Sequence, residues 1–385
     1  MKGSFYLCEG CGFEMSYSSF IPENCFPDER YESLRSTYRM WWKDRLERPI
    51  VPIITTGHPS PRKPSEYPLL AFPTAWDMSI SPEKFVDAYD YHLSTLRWHG
   101  DAFPFFPITP FGPGVMAAFL GCTPVGVEHT VWFMPPKKDI PIEELHFSFD
   151  ENNPYFRRVV NIVEAAMEKW RGHVVVGMVD IGGVMDVLSS FRGTENLLMD
   201  LYDSPDEVLR CVKELQELWL KYFRIFNDIM APEARGYSQW YNLYGEQPGY
   251  ILQSDFSYMI SPDMFDKFVG PELASTSKHI CNAVYHMDGI GEIPHLDSLL
   301  KIDSIKGIQW VPGDGEPSSR NWDELLDRIL VSGKKLISWN QNPDGSAVSI
   351  AKNPGQLYFP DRYFSSNDTD AVKKYADMYG IEVKL

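Results

Sequence analysis

The sequence predicts an α/β fold of the (β/α)8 class, a TIM barrel with long strand-to-helix loops over its pocket. Three observations carry that prediction. Short apolar runs recur along the 385 residues, each followed by loop signals and a helical period. Eight such runs occur, the number a closed parallel barrel needs. No Gly-x-Gly-x-x-Gly and no Walker A motif follows an early run, so a nucleotide-binding open sheet has no positive support.

The runs are Ile50 to Ile54, Phe103 to Phe106, Val174 to Val179, Tyr237 to Tyr241, Ala283 to His286, Gly307 to Trp310, Lys335 to Trp339 and Gln356 to Phe359. A helix ending at RLERP precedes the first, and a helix over residues 82 to 98 precedes the second. Before the third, PYFRRVVNIVEAAMEKWRG sets Phe156, Val159, Val160, Val163, Ala166, Met167 and Trp170 at three- and four-residue spacings, a stripe that fits against a sheet. Ser204-Pro205-Asp206-Glu207 reads as an N-cap, a first-turn proline and two acids facing the helix dipole, opening a helix that runs to about Met230. The Ser-Pro-Asp start recurs at Ser261, and NWDELLDRILVSG begins a further helix before Gly333. Residues 55 to 81 and 107 to 149 are rich in Pro, Gly and aromatics and follow predicted strands, which places them on the active-site face of a barrel.

Composition narrows the partners. Thirty-six Lys and Arg against 53 Asp and Glu give a net charge of −17, a field that repels phosphate backbones and anionic headgroups. Neither a nucleic-acid nor a membrane partner is expected. With no apolar run of spanning length and no leader pattern at the start, a cytoplasmic protein acting on a small molecule is expected. Six scattered cysteines do not form a disulfide framework. Cys8-x-x-Cys11 lacks a second half-site for structural zinc, so residues 1–28 read as an extension and 29–385 as the barrel.

Four stretches carry a family resemblance: HGDAFPFF at 99, DIGGVMDVLSSFRGTENLLMDLYDSPDEV at 180, LQSDFSYMISPDMFDKFVGPELA at 252 and VYHMDGIGEIPHLDSLLKIDSIKGIQW at 284. In order and spacing they resemble the uroporphyrinogen decarboxylase superfamily, which also holds methyltransferases that move methyl groups to or from cobalamin. The resemblance implies a (β/α)8 barrel with its pocket at the C-terminal strand ends. It favours the methyltransferase branch, because the region matching the decarboxylases' Arg-rich Met-Arg-Gln-Ala-Gly-Arg segment reads TTGHPSPRKPSEY, with Arg62 and Lys63 its only cations. A substrate of many carboxylates would be poorly compensated there.

The methyltransferases hold zinc through a His-x-Cys pair and a later Cys. This sequence has His286-Met287-Asp288-Gly289 at the first position and LYFPDRYFSSND at the second, so both sulfur ligands are replaced. His286, Asp288 and Asp361 then make a harder site for a divalent metal, zinc first among them, better suited to an oxygen or nitrogen substituent than to a thiol.

Strand-end positions supply the candidate site, because side chains there face a barrel mouth. They include His58, Asp180, Gln239, Tyr241, Asp255, His286, Asp288, Gln309, Trp310 and Asn340. His286, Asp288, Asp255 and the loop residue Glu246 are the expected catalytic groups, with His286 the leading ligand or acid/base. Gln239, Tyr241, Gln309, Trp310 and Asn340 are the expected substrate contacts. The expected activity is methyl transfer between a small O- or N-methylated compound and a corrinoid on a partner protein, since no Asp-x-His-x-x-Gly module occurs here. A non-porphyrin decarboxylase or lyase, a glycoside-acting enzyme and a non-catalytic binding barrel stay open beside it.

Overall fold

Buried strands of parallel pairing form the centre of the protein. The structure, a computed structural model, describes residues 26–338 and 354–383, so that Cys8, Cys11, Cys25, Trp339 and Asn340 lie outside the described residues. The parallel strands, in chain order, are β1 (Pro52–Thr56), β2 (Phe105–Phe106), β3 (Val175–Val176), β4 (Gly249–Gln253), β5 (Asn282–Asp288), β6 (Ile305–Val311), β7 (Lys335–Ser338) and β8 (Leu357–Tyr358). The architecture is mixed α/β around a five-stranded parallel sheet in the order β8-β7-β6-β5-β4. Separately, β2 pairs in parallel with β3. Parallel bridges join Ile50 to Tyr358 and Gly177 to Ser238, and Arg362–Ser365, just beyond β8, pairs in parallel with β1.

The strands are largely apolar because helices and loops cover them. All five residues of β4 are buried, as expected for a parallel strand without a solvated side. Helix Pro154–Trp170 buries every residue of the stripe from Phe156 to Trp170, and the Asn153 side chain caps it by accepting from the Tyr155 and Phe156 N–H groups at 2.9 and 3.0 Å. Helix Pro205–Met230 ends where its apolar period ends. Helix Asp323–Val331 precedes β7, which Gly333 in a left-handed turn makes possible.

Four expectations need correction. The run Tyr237 to Tyr241 is not a sheet strand: only Tyr237–Ser238 is extended, pairing antiparallel with Tyr244–Gly245, and the sheet position beside β5 belongs to β4. The tight turn through Asn242 reverses the chain, and the continuous apolar run after Pro248 takes the place in the sheet. The helix expected over 82 to 98 stops at Ser94, and Arg97–Gly100 runs antiparallel along β1. Ser204 stands at its helix start without capping it; its hydroxyl meets Glu143 Oε1 at 3.3 Å instead. Within 107 to 149 the chain forms an antiparallel hairpin, Thr123–Gly126 with Val131–Met134. No helix among the described residues is long and apolar enough to cross a membrane.

Candidate metal site at the strand ends

The register of the sheet places a polar row on one face. Gln253 of β4 lies opposite His286 of β5, and His286 opposite Gln309 of β6. Because strand side chains alternate, the neighbours Met287 and Trp310 face the other way. His286 Nδ1 and Gln309 Oε1 lie 2.8 Å apart; with the proton on Nδ1 the imidazole donates to Gln309, and Nε2 is turned toward Asp288, 3.7 Å from Oδ2. The Trp240 ring meets the imidazole edge-on at 5.5 Å.

Beyond the strand ends the chain makes two short helical turns, Asp255–Met259 after β4 and Ile290–His295 after β5. They are tied together by His295, whose Nε2 lies 2.9 Å from the Ser257 carbonyl oxygen while its ring stacks on Phe265 at 4.5 Å. This brings Asp255 to Asp288 although 33 positions separate them in sequence. One donor atom from each of Asp255, His286 and Asp288 lies within 4.8 Å of the other two. One imidazole and two carboxylates at that spacing fit a divalent cation of borderline to hard character.

Electrostatics at the site are dominated by acids. Burial works against a charged His286, but the nearby Asp288 carboxylate and the charge of Asp255 outweigh it, and the imidazole pKa is raised. Asp255 is an exposed residue, but desolvation of its carboxyl by the surrounding groups raises the pKa despite the nearby imidazole. Asp180, at the end of β3, is 6% exposed; burial and then the charge of Asp255 push its pKa up to about 7. Asp186 and Glu292 are likewise raised, in both cases by burial first.

A pocket of about 290 Å³ adjoins the cluster, walled by Asp255, Tyr258, Asp288, Gly289, Asp314 and Glu316 among others, with no Lys or Arg among its described lining residues. The Tyr258 ring lies against the Gly289 backbone. Gly289 has φ +92°, and a Cβ there would stand 2.7 Å from the ring, so this approach is open to glycine alone.

The other expected site residues lie elsewhere. Glu246 is bound by Arg39 of helix Asp28–Trp42 at 2.7 Å, and this pairing lowers its carboxyl pKa; it is not part of the His286 cluster, because the loop bearing it packs toward that helix. Gln239 donates from Nε2 to the Asn282 carbonyl at 3.1 Å, which sets it at the start of β5, the end opposite His286. Trp310 is fully buried with its ring edge-on to Trp322 at 5.4 Å; strand alternation turns it from the face that carries Gln309. Tyr241 packs on Tyr358 at 6.0 Å. Asp361 sits beside Asn242 and Tyr363, its carboxyl raised to about 6 by burial; it does not join His286 and Asp288 as the expected third ligand, and Asp255 takes that place. His58 lies against Thr55, with Nε2 2.8 Å from the hydroxyl oxygen. Arg62 is committed to Asp87 and Asp90 of helix Pro82–Ser94.

Sequence reasoning passed over Asp186 and Glu292 and treated Asp180 only as a strand-end position. Asp186 reads as a first-turn acid favouring a helix dipole, and Glu292 as a solvated turn residue. The faint signal for Glu292 was its place between apolar residues in GIGEIP. In comparisons with known proteins, no protein-family model matches the chain and no curated protein matches it.

Proposed function

We propose that this chain is a metal-dependent methyltransferase on a closed (β/α)8 barrel of the uroporphyrinogen decarboxylase type, passing a methyl group from a small N- or O-methylated compound to a corrinoid carried by a partner protein. The observation that carries the reading is the convergence of Asp255, His286 and Asp288 beside a small pocket at the ends of two adjacent parallel strands. Closure of the barrel is supported by the parallel bridges at Ile50 and Ser238, which extend pairing past both the five-stranded sheet and the β2–β3 pair.

The residues divide the work. Asp255, His286 and Asp288 would hold a divalent metal, zinc first among candidates, which would supply Lewis acidity toward the heteroatom that loses its methyl group. Gln309 fixes the imidazole tautomer so that Nε2 faces the other donors. Tyr258 offers an aromatic face, and Asp314 and Glu316 leave the pocket negative beyond the donor set. An N-methylated amine whose nitrogen lone pair can reach the metal suits this pocket better than an anionic substrate, since Asp314, Glu316 and the aromatic face repel an anion. In such a transfer the electron pair of the carbon–heteroatom bond would stay on the heteroatom held at Asp255, His286 and Asp288, and a reduced corrinoid on the partner would supply the pair that bonds the methyl carbon.

A second reading is favoured by one observation, the near-neutral Asp180 close enough to feel the charges of Asp255 and His286. A carboxyl group that keeps its proton to about pH 7 suits a decarboxylase or lyase, where a carbon or heteroatom must be protonated. The test separates the two. Metal-loaded protein is incubated with trimethylamine, with and without cob(I)alamin, and the demethylated amine is followed by mass spectrometry. Demethylation that needs both protein and cob(I)alamin, and is lost in His286→Ala, supports methyl transfer. Corrinoid-independent release of carbon dioxide from a carboxylated substrate supports the second reading and overturns the first.

A further inference from the structure

We infer that Asp186 and Glu292 are positioning residues of the metal site, two carboxyl groups outside the donor set that hold the main chain of its two carboxylate donors. The inference rests on the reading of Asp255, His286 and Asp288 as ligands. It adds that the site is shaped from outside, by elements that never touch the metal.

The hydrogen bonds define the arrangement. Asp186, in the first turn of helix Val184–Arg192, accepts the Phe256 N–H on Oδ1 at 2.8 Å and the Asp255 N–H on Oδ2 at 3.1 Å. Glu292, in the turn after β5, accepts the Asp288 N–H on Oε1 at 3.2 Å and the Tyr285 hydroxyl on Oε2 at 2.7 Å. Gln309 completes the set at His286 Nδ1. Each of the three donors thus has its own anchor, from a helix, a turn and a neighbouring strand.

Two features separate these contacts from ordinary turn bonding. Glu292 is fully buried, and an acid in that position beside Asp255 and Asp288 is an unfavourable choice for stability alone. Gly183 is required for the approach of Asp186: a Cβ there would stand 2.2 Å from Asp186 Oδ2 and 2.3 Å from the Gln253 carbonyl oxygen. Glycine lets the helix start lie against the end of β4, where the Asp255 turn begins. Partners of this kind orient ligands before the metal arrives, and their removal weakens metal affinity by about tenfold to a hundredfold.

The two anchors respond differently to the same amide substitution. Asp186 faces two N–H donors, so the Nδ2 group of Asp186→Asn would meet an N–H with an N–H. Glu292 faces one N–H and one hydroxyl, so Glu292→Gln can accept the Asp288 N–H on its oxygen and donate from Nε2 to Tyr285. The full-length metal-free protein and the variants Asp186→Asn, Glu292→Gln and Glu292→Leu are titrated with Co²⁺. Affinity is read from competition with a chelator, donor geometry from the ligand-field absorption of bound Co²⁺, and folding from circular dichroism.

The expected result is one site in the wild type, about tenfold or more weaker binding with an altered spectrum in Asp186→Asn and Glu292→Leu, and near wild-type affinity and spectrum in Glu292→Gln. Wild-type binding and spectra in Asp186→Asn would overturn the inference while leaving the ligand assignment intact. Glu292→Gln that folds but binds Co²⁺ about tenfold or more weaker than the wild type would also overturn it, whether or not the leucine variant folds. Absence of Co²⁺ binding by the wild type would overturn the ligand assignment itself, and the inference with it.

Discussion

Glu272 accepts the Thr276 hydroxyl at 2.5 Å on helix Gly270–Thr276, and burial raises its carboxyl pKa from 4.5 to about 7. Between those values the folded chain keeps a proton that the unfolded chain has lost, so folding binds protons there. Its contribution to stability is intact below pH 4.5 and is lost as pH rises toward 7. Glu272→Gln keeps the acceptor for Thr276 and removes the titration. We expect urea unfolding to show the variant more stable by about 1–2 kcal/mol at pH 8 and equal to the wild type at pH 4. Glu246 makes the opposite case: paired with Arg39 and partly exposed, it is predicted to be replaceable by Gln with no change in metal affinity, checked by titration with Zn²⁺. Residue type alone does not separate Glu246 from Asp255, since each is an acid in a loop after an apolar run. What separates them is the packing partner, a cationic helix face in one case and a strand-end imidazole in the other, and no local spacing encodes it. The strand-end positions of His286, Asp288 and Gln309 were legible because an apolar run and the glycine after it are local signals, but Gln309, expected to contact substrate, is fully buried with its Oε1 against His286 Nδ1. Trp310 was misread by one position of that same alternation.

Helices with a clear period were legible at the scale of whole elements. The stripe from Phe156 to Trp170 is buried throughout, because a wide apolar face has only the sheet and its neighbouring helix to cover it. The cap at Asn153 was passed over in favour of Ser204, although both precede a proline in a first helical turn. Asn153→Ala removes an acceptor for two N–H groups and should destabilise the protein by about 1 kcal/mol in chemical denaturation. Ser204→Ala, with no capping bond to lose, should have a smaller effect. The fourth sheet strand was missed because GYILQ has no polar alternation to mark it, and a fully buried strand reads like a stretch of buried helix. Its end meets the start of helix Val184–Arg192 across Gly183. Gly183→Ala is predicted to destabilise the fold by about 1–3 kcal/mol, by overpacking against the Gln253 carbonyl and Asp186, and to weaken metal binding as well. Thermal unfolding and a Zn²⁺ titration of the one variant would read both effects.

Across the whole molecule, parallel pairing runs through the five-stranded sheet and continues past β8 by a bridge to Ile50, while a second bridge joins Gly177, beside the β2–β3 pair, to Ser238. The alternation of apolar runs and helices made this α/β order readable in sequence, because each unit is local. The way the elements assemble their side chains was not readable in the same way. Asp186, Asp255, Asp288 and Glu292 come from two strand ends and one helix start, and their proximity depends on turns whose residues look like ordinary solvated acids. A protein of net charge −17 that gathers these carboxyl groups around one histidine has concentrated its negative field where a cation would relieve it. Binding of a divalent cation at this histidine is the central claim. Calorimetric titration of the metal-free protein with Zn²⁺, repeated on His286→Ala and Asp288→Ala, tests it most directly. One equivalent bound by the wild type and none by either variant is the predicted result; no binding by the wild type, or binding unchanged by both substitutions, would contradict it.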